Sequence, residues 1–212
     1  SDFFNEKIFI NNGVSGASIE DLIAIYQMYK SKDMLPKEII LGVDPWLFNI
    51  NNGQKRWLSI EKEYNEYYNL LEPNFNLSLK IFKYTQLLSP SYLQASIKNF
   101  INVKKLTPTK KKDNENTTKL KDGSISYGKV LREITIDSVN NLAKTYIQNE
   151  IYSIEKYKLI SPEKFIEFQN LCLDILEKDI KLSFFLAPYH PLVYQKIIKD
   201  YGIVLDVEKE IV

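Results

Sequence analysis

Few side chains in this sequence stand where they could do acid–base or nucleophilic chemistry. His190 is the sole histidine, held in Ala187-Pro188-Tyr189-His190-Pro191 just past an apolar run. Imidazole changes charge near neutral pH, which makes histidine the usual base for acyl transfer by a serine. Three roles stand open for His190: general base, substrate-contacting residue, or a structural part of its turn. Far upstream, Asn12-Gly13-Val14-Ser15-Gly16 sets a serine between glycines. The final glycine arrives one residue early for a Gly-x-Ser-x-Gly nucleophile elbow. Ser15 therefore reads first as a turn serine bonding its own backbone. Asp44 follows a second apolar run, in Gly42-Val43-Asp44-Pro45-Trp46. Cys172 lies in a helical apolar pattern and reads as a buried thiol rather than a nucleophile. One histidine, one cysteine and scattered carboxylates give no metal-ligand spacing, so no metal site is expected. Gly13-x-x-Gly16 lacks the first glycine of the dinucleotide fingerprint, and no cofactor is expected.

The elements around these residues follow a βαβ plan. Ile8-Phe9-Ile10 reads as a strand, the glycine turn follows, and a helix begins at Ser18. Ser18 with Asp21 three residues on forms a capping box, with aspartate in the glutamate position. Ile19, Leu22, Ile23, Tyr26 and Tyr29 share one helical face. Glu38 to Leu41 is the next strand. In open parallel sheets, ligands collect at the carboxyl ends of strands. Both polar clusters, Asn12 to Ser18 and Gly42 to Asn49, sit at such ends. They make Asn12, Ser15, Ser18 and Trp46 candidate substrate-binding residues, with Tyr189 joining them from the later loop.

At these residues the chain resembles the SGNH (GDSL-like) hydrolases and related bacterial polysaccharide acyl-modifying proteins. Asn12, Gly13 and Gly16 meet the family's second block, Asn-x-Gly-x-x-Gly. Gly42-Val43-Asp44-Pro45 meets a fainter third block, Gly-x-Asn-Asp, with Asp44 where the family has asparagine. The resemblance implies a flavodoxin-like α/β parallel sheet and serine-dependent ester hydrolysis or O-acyl transfer on a cell-surface carbohydrate. It implies an oxyanion-hole role for the Gly16 N–H, and a site at which Asp44 and His190 stand. An ionised carboxylate accepts hydrogen bonds but cannot donate one, so Asp44 departs from the asparagine's role. The family's closing Asp-x-x-His is not met at His190, since the residue three before it is Ala187. The sheet order carried over from the resemblance puts a further strand, bearing the nucleophile, between the strands near 8 and 39. That strand and the Asp-x-x-His are expected outside these 212 residues, as parts of a longer, cell-envelope protein. The isolated chain is accordingly expected to be inactive. The alternative is a non-catalytic carbohydrate-binding or scaffold module that keeps the fold; a weaker third reading has the Ser18 helix N-terminus accept an anion or nucleotide.

The rest of the chain is read as an insertion. Residues 1–50 and 160–212 form the incomplete α/β core, and 51–159 a mostly helical segment. Trp57, Ile60, Tyr64, Tyr67 and Tyr68 recur at helical spacing. They read as a core face with hydroxyls at its rim ahead of a sugar-binding groove. Helical runs are expected over Leu77–Leu88 and from Ser89 to Phe100, then a mobile loop over Thr107–Gly123 carrying Lys110-Lys111-Lys112. Helical spacing returns from Val130 to Tyr157. Ser161-Pro162-Glu163 starts a helix with its stripe on Phe165, Phe168, Cys172, Ile175 and Leu176. Leu182 to Ala187 is the third strand, and a helix follows from Leu192. Apolar residues make up 44%, ample for a core, and the net charge of +1 points toward neither nucleic acid nor an anionic membrane. No transmembrane run is present.

Overall fold

A computed structural model describes residues 8–68, 115–149, 151, 154 and 157–211, with side chains described through Lys209. The fold is mixed α/β. Helix α1 (Ile19–Lys30) leads to strand β1 (Glu38–Gly42), two 3₁₀ turns (Pro45–Phe48 and Arg56–Ile60) and α2 (Glu61–Tyr67). A small hairpin pairs β2 (Thr118–Lys119) with β3 (Ile125–Ser126), followed by α3 (Lys129–Arg132) and α4 (Ile136–Tyr146). The chain closes with α5 (Pro162–Glu177), β4 (Lys181–Phe185), α6 (Pro191–Asp200) and α7 (Ile203–Ile211). The expected helices over 77–100 and the lysine run lie outside the described residues. No described helix is long and apolar enough to cross a membrane.

β1 and β4 pair in parallel, with Glu38 opposite Lys181 and Gly42 opposite Phe185. Bonds from Lys181 N–H to Lys37 O (3.1 Å) and from Val43 N–H to Phe185 O (2.9 Å) extend the ladder at both ends. Ile39, Leu41 and Val43 alternate into the core, while Ile40 and Phe185 stay 46% and 56% exposed. Ile8–Ile10, expected as a strand, is not one. Ile8 is 96% exposed, and the adjacent Asn11 N–H bonds Asp122 O (2.5 Å) beside the hairpin turn. A strand needs a paired neighbour for its backbone groups, and no described strand lies beside these residues.

Local chemistry fixes the helix ends. α1 and α5 both finish in Schellman geometry, with aspartate in the left-handed position usually taken by glycine. Asp179 has φ +56°, and Ile180 N–H returns to Ile175 O at 3.4 Å. Asp33 has φ +53°, and Met34 N–H returns to Tyr29 O at 3.0 Å. The core gathers Ile23, Val43, Leu47, Phe48, Leu171, Ile175, Ile197 and Val204. Phe48 sits against Phe165 and Phe168, both with ring centroids 5.4 Å away. On α5 the buried stripe runs through Phe168, Leu171 and Ile175, and Leu176 turns outward.

The segment 51–159 leaves and rejoins the core at one place. Asn49 and Ile160 form an antiparallel bridge, flanked by Ile50 N–H to Leu159 O (3.2 Å) and Ser161 N–H to Phe48 O (2.8 Å). Its two ends are not a detached module, since α2 packs on α1 and Ile151, Ile154 and Tyr157 are buried in the common core. Within Thr107–Gly123, expected as a loop, Thr118–Lys119 belongs to the hairpin, whose turn uses Gly123 at φ +84°. A side chain at Gly123 would meet the Asn11 carbonyl oxygen.

Candidate functional site

The parallel register brings the chain after β1 and the chain after β4 out at the same end of the pair. Asp44 lies two residues past Gly42, and Tyr189 and His190 lie just past Phe185. The segment before α1 joins them, because the Trp46 indole N–H donates to Ala17 O at 3.4 Å.

That segment is a network of backbone bonds. Ala17 N–H closes on Val14 O (3.1 Å), with Gly16 at φ +60° in the third position of the turn. Glycine takes that angle without the steric cost of a Cβ. The Gly16 carbonyl accepts from Arg56 Nη2 (3.0 Å) and Gln54 Nε2 (3.3 Å). Ser15 is exposed at the turn tip. The capping box forms as the sequence indicates. Ser18 N–H donates to Asp21 Oδ2 (2.9 Å), and Asp21 N–H donates to Ser18 Oγ (3.4 Å). Gln54 Nε2 adds a donor to the same Asp21 oxygen at 2.5 Å. Ser18 is fully buried in this knot, where it shapes the turn and is shut off from solvent. Asn12 is drawn elsewhere: its Nδ2 donates to the Tyr29 hydroxyl at 2.8 Å. Tyr29 lies near the carboxyl end of α1, eleven residues and roughly 16 Å of helix from Ser18.

Asp44 and Tyr189 form the centre of the site. Asp44 precedes the Pro45–Phe48 turn, and its backbone carbonyl accepts from Leu47 N–H at 3.0 Å. Its side chain makes no capping bond there, and burial pushes the carboxyl above the ordinary aspartate value. The Tyr189 hydroxyl is occluded and has no hydrogen-bond partner. It is pushed above the tyrosine range by burial first, then by the charge of Asp44, then by Tyr146 and Glu208. An ionised carboxyl only accepts, whereas its acid form also carries an O–H that can donate.

His190 is the N-cap of α6. Its Nδ1 accepts from Leu192 N–H at 3.3 Å, which leaves the ring proton on Nε2, 3.1 Å from Asn140 Oδ1 on α4. Both ring nitrogens are thus engaged. On the neighbouring helices, Tyr194 on α6 donates its hydroxyl to Glu208 Oε2 on α7 at 2.8 Å. Asn140, Tyr146, Tyr194 and Glu208 had no signal in the sequence, since only the packing of their helices brings them to the strand ends.

Asp44, Trp46, Tyr189 and the turn at Gly16 therefore share the carboxyl end of the strand pair. Ser18 lies beneath them, Ser15 at the tip of the turn, His190 faces α4, and Asn12 lies away. No group of three or more described His, Cys, Asp or Glu side chains is placed to hold a metal ion. No protein-family model, no curated protein and no solved structure matches this chain.

Proposed function

We propose that the carboxyl end of the β1–β4 pair holds the acyl-ester group of a cell-surface carbohydrate, as the substrate-holding part of a serine-dependent esterase or O-acyltransferase of SGNH type, with the flavodoxin-like arrangement which that fold uses. The observation that carries this reading is the pairing of Asp44 with Tyr189 where the chains leave β1 and β4. Burial pushes the Asp44 carboxyl above its ordinary value, and this reading requires the acid form in the complex, whose O–H would supply the donor that an asparagine supplies at the same place. An ester carbonyl accepts such a bond, and the Gly16 turn lies within one indole hydrogen bond of the same loop. In this reading Gly16 supports the developing oxyanion through its N–H, and a serine attacks the carbonyl.

Binding of an O-acetylated oligosaccharide to the 212-residue chain, measured by calorimetry against its deacetylated form, tests the proposal. The acetylated ligand is expected to bind more tightly. Asp44→Ala is expected to weaken it roughly tenfold, the value of one good hydrogen bond to a polar group. Equal affinity for both sugars would remove acyl recognition, and no affinity for either would remove the site.

A second reading, a non-catalytic carbohydrate-binding module, is favoured by His190, whose ring is committed to a helix cap and to Asn140. Fluorophosphonate treatment of the chain extended by the nucleophile-bearing strand that the enzyme reading requires separates the two. Covalent labelling of a serine supports the enzyme, and sugar binding without labelling supports the module.

A further inference from the structure

We infer that His190 is a pH-sensitive latch that holds α4 against α6 when neutral and lets it go when protonated. The inference is independent of the proposed ester site. Its basis is that one imidazole makes two bonds that a single protonation state allows. Nδ1 accepts from Leu192 N–H, so it must carry no proton, and Nε2 must then be the donor to Asn140 Oδ1. Adding a proton to Nδ1 sets two N–H groups facing each other 3.3 Å apart at the start of α6. It also places a positive charge at a helix N-terminus, where the helix dipole disfavours it. The ring relieves both only by turning from the cap, and the turn takes Nε2 away from Asn140.

The partner helix is thinly held, which gives this one bond leverage. Among its described side chains only Ala143 is buried, and Ile136, Leu142 and Tyr146 are exposed. α6 is the helix against which α4 packs. The described charged and titratable side chains on the surrounding elements are Asp137, Lys144 and Tyr146 on α4, Tyr194, Lys196, Lys199 and Asp200 on α6, Asp206, Glu208 and Lys209 on α7, and Asp44 with Tyr189 in the strand-end loops. The bonds of the imidazole run to Leu192 N–H and to Asn140 Oδ1, and Glu208 is taken by Tyr194. Release of α4 carries Tyr146 away from Tyr189, so the latch reports directly on the strand-end cluster.

Amide hydrogen exchange at pH 7.5 and pH 5.0, compared as protection factors, tests the latch in the whole chain. The α4 amides and Leu192 N–H are expected to lose protection roughly tenfold on acidification, the size of a lost N-cap. In His190→Asn, whose carboxamide can cap without titrating, the α4 amides are expected to show no such pH-dependent drop. Equal wild-type protection at both pH values would overturn the latch, as would an equal drop in His190→Asn. The imidazole nitrogen shifts of the wild-type protein at pH 7.5 give a check that needs no variant. The Nε2–H tautomer is required, and the Nδ1–H tautomer would sink the inference.

Discussion

Tyrosines and carboxylates meet in two regions of this protein, and the regions differ in their cations. Between α1, α2 and α5, ring follows ring: Tyr26 to Tyr67 (6.3 Å), Tyr67 to Tyr68 (5.0 Å), Tyr68 to Tyr64 (5.3 Å) and Tyr64 to Trp57 (5.0 Å). Lys30 enters this layer, with Nζ 2.5 Å from Asp174 and over the Tyr26 and Tyr67 rings. Lys164 approaches Glu20 at 3.5 Å, and the Tyr64 hydroxyl donates to Glu167 at 2.7 Å. At the carboxyl ends of β1 and β4, by contrast, Asp44, Tyr189 and Glu208 gather with no described ion pair to any of them. The first arrangement is cohesive, since each acid there has a cation or a hydroxyl and the rings bury one another. The rings form a packed layer, as the helical spacing leads one to expect, but the Tyr26 and Tyr68 hydroxyls are buried inside it rather than at its rim. Buried hydroxyls without a partner occur in both regions, Tyr26 and Tyr68 in the first and Tyr189 in the second, but only the second leaves its acids without a described cation, a condition that ligand recognition can use.

The largest expected effect breaks the helical layer. Lys30→Met keeps the apolar stem but strands Asp174 between Tyr26 and Tyr67, and is expected to cost about 2–3 kcal/mol. Urea unfolding with an unchanged m-value checks this, and a loss below about 0.5 kcal/mol would reduce Lys30 to a surface charge. A matched pair of hydroxyl deletions sharpens the contrast. Tyr64→Phe removes a bond to a half-buried carboxylate and is expected to cost about 1.5 kcal/mol. Tyr189→Phe removes a hydroxyl that has no partner and is expected to be neutral or slightly stabilising. Equal losses in the two variants would erase the difference between the regions.

Asp44→Asn gives the smallest shift and the most specific one. The folded protein holds the Asp44 carboxyl above its ordinary value, so the stability that the acid form provides is complete below pH 4. It is lost as pH rises through the raised value. The amide does not titrate. The variant is therefore expected to be the more stable by about 1 kcal/mol at pH 7, with the advantage vanishing near pH 3. Denaturant midpoints at both pH values check the sign, and an advantage that grew on acidification would place Asp44 in a cationic environment instead. Burial pushes the Cys172 thiol up to about 11, in keeping with a packing role.

Much of the site was legible because its framework is local. The capping box at Ser18 and Asp21 needs residues three apart, and the Gly16 turn needs residues three apart with one positive φ. Ser161 as cap and Pro162 at the first helical position mark α5 in the same way, with Lys164 N–H on Ser161 Oγ at 3.3 Å. The apolar runs at 38–41 and 182–187 mark the parallel strands, observed over 38–42 and 181–185, and polar residues just beyond them point to the carboxyl end of the sheet. Asn12 shows the limit of that logic. It matches the spacing of a motif, yet a side-chain bond to Tyr29, seventeen residues on, takes it away from the motif's other residues.

By itself the sequence determined the two parallel strands near 39 and 184, where α1 and α5 begin, and which few residues could carry chemistry. Those outcomes rest on hydrogen bonds and apolar periodicity within about one or two helical turns. Only the tertiary structure decided that Ile8–Ile10 forms no strand, because strand formation depends on a neighbour and no periodicity supplies one. It alone decided that Leu171 rather than Leu176 faces the core, since neighbouring elements set the rotation of a helix with apolar residues on two sides. It also joined His190 to Asn140 and Tyr189 to Asp44, across 50 and 145 residues of chain. Such pairings come from packing helices and strands against each other, and no local pattern encodes a partner that far away.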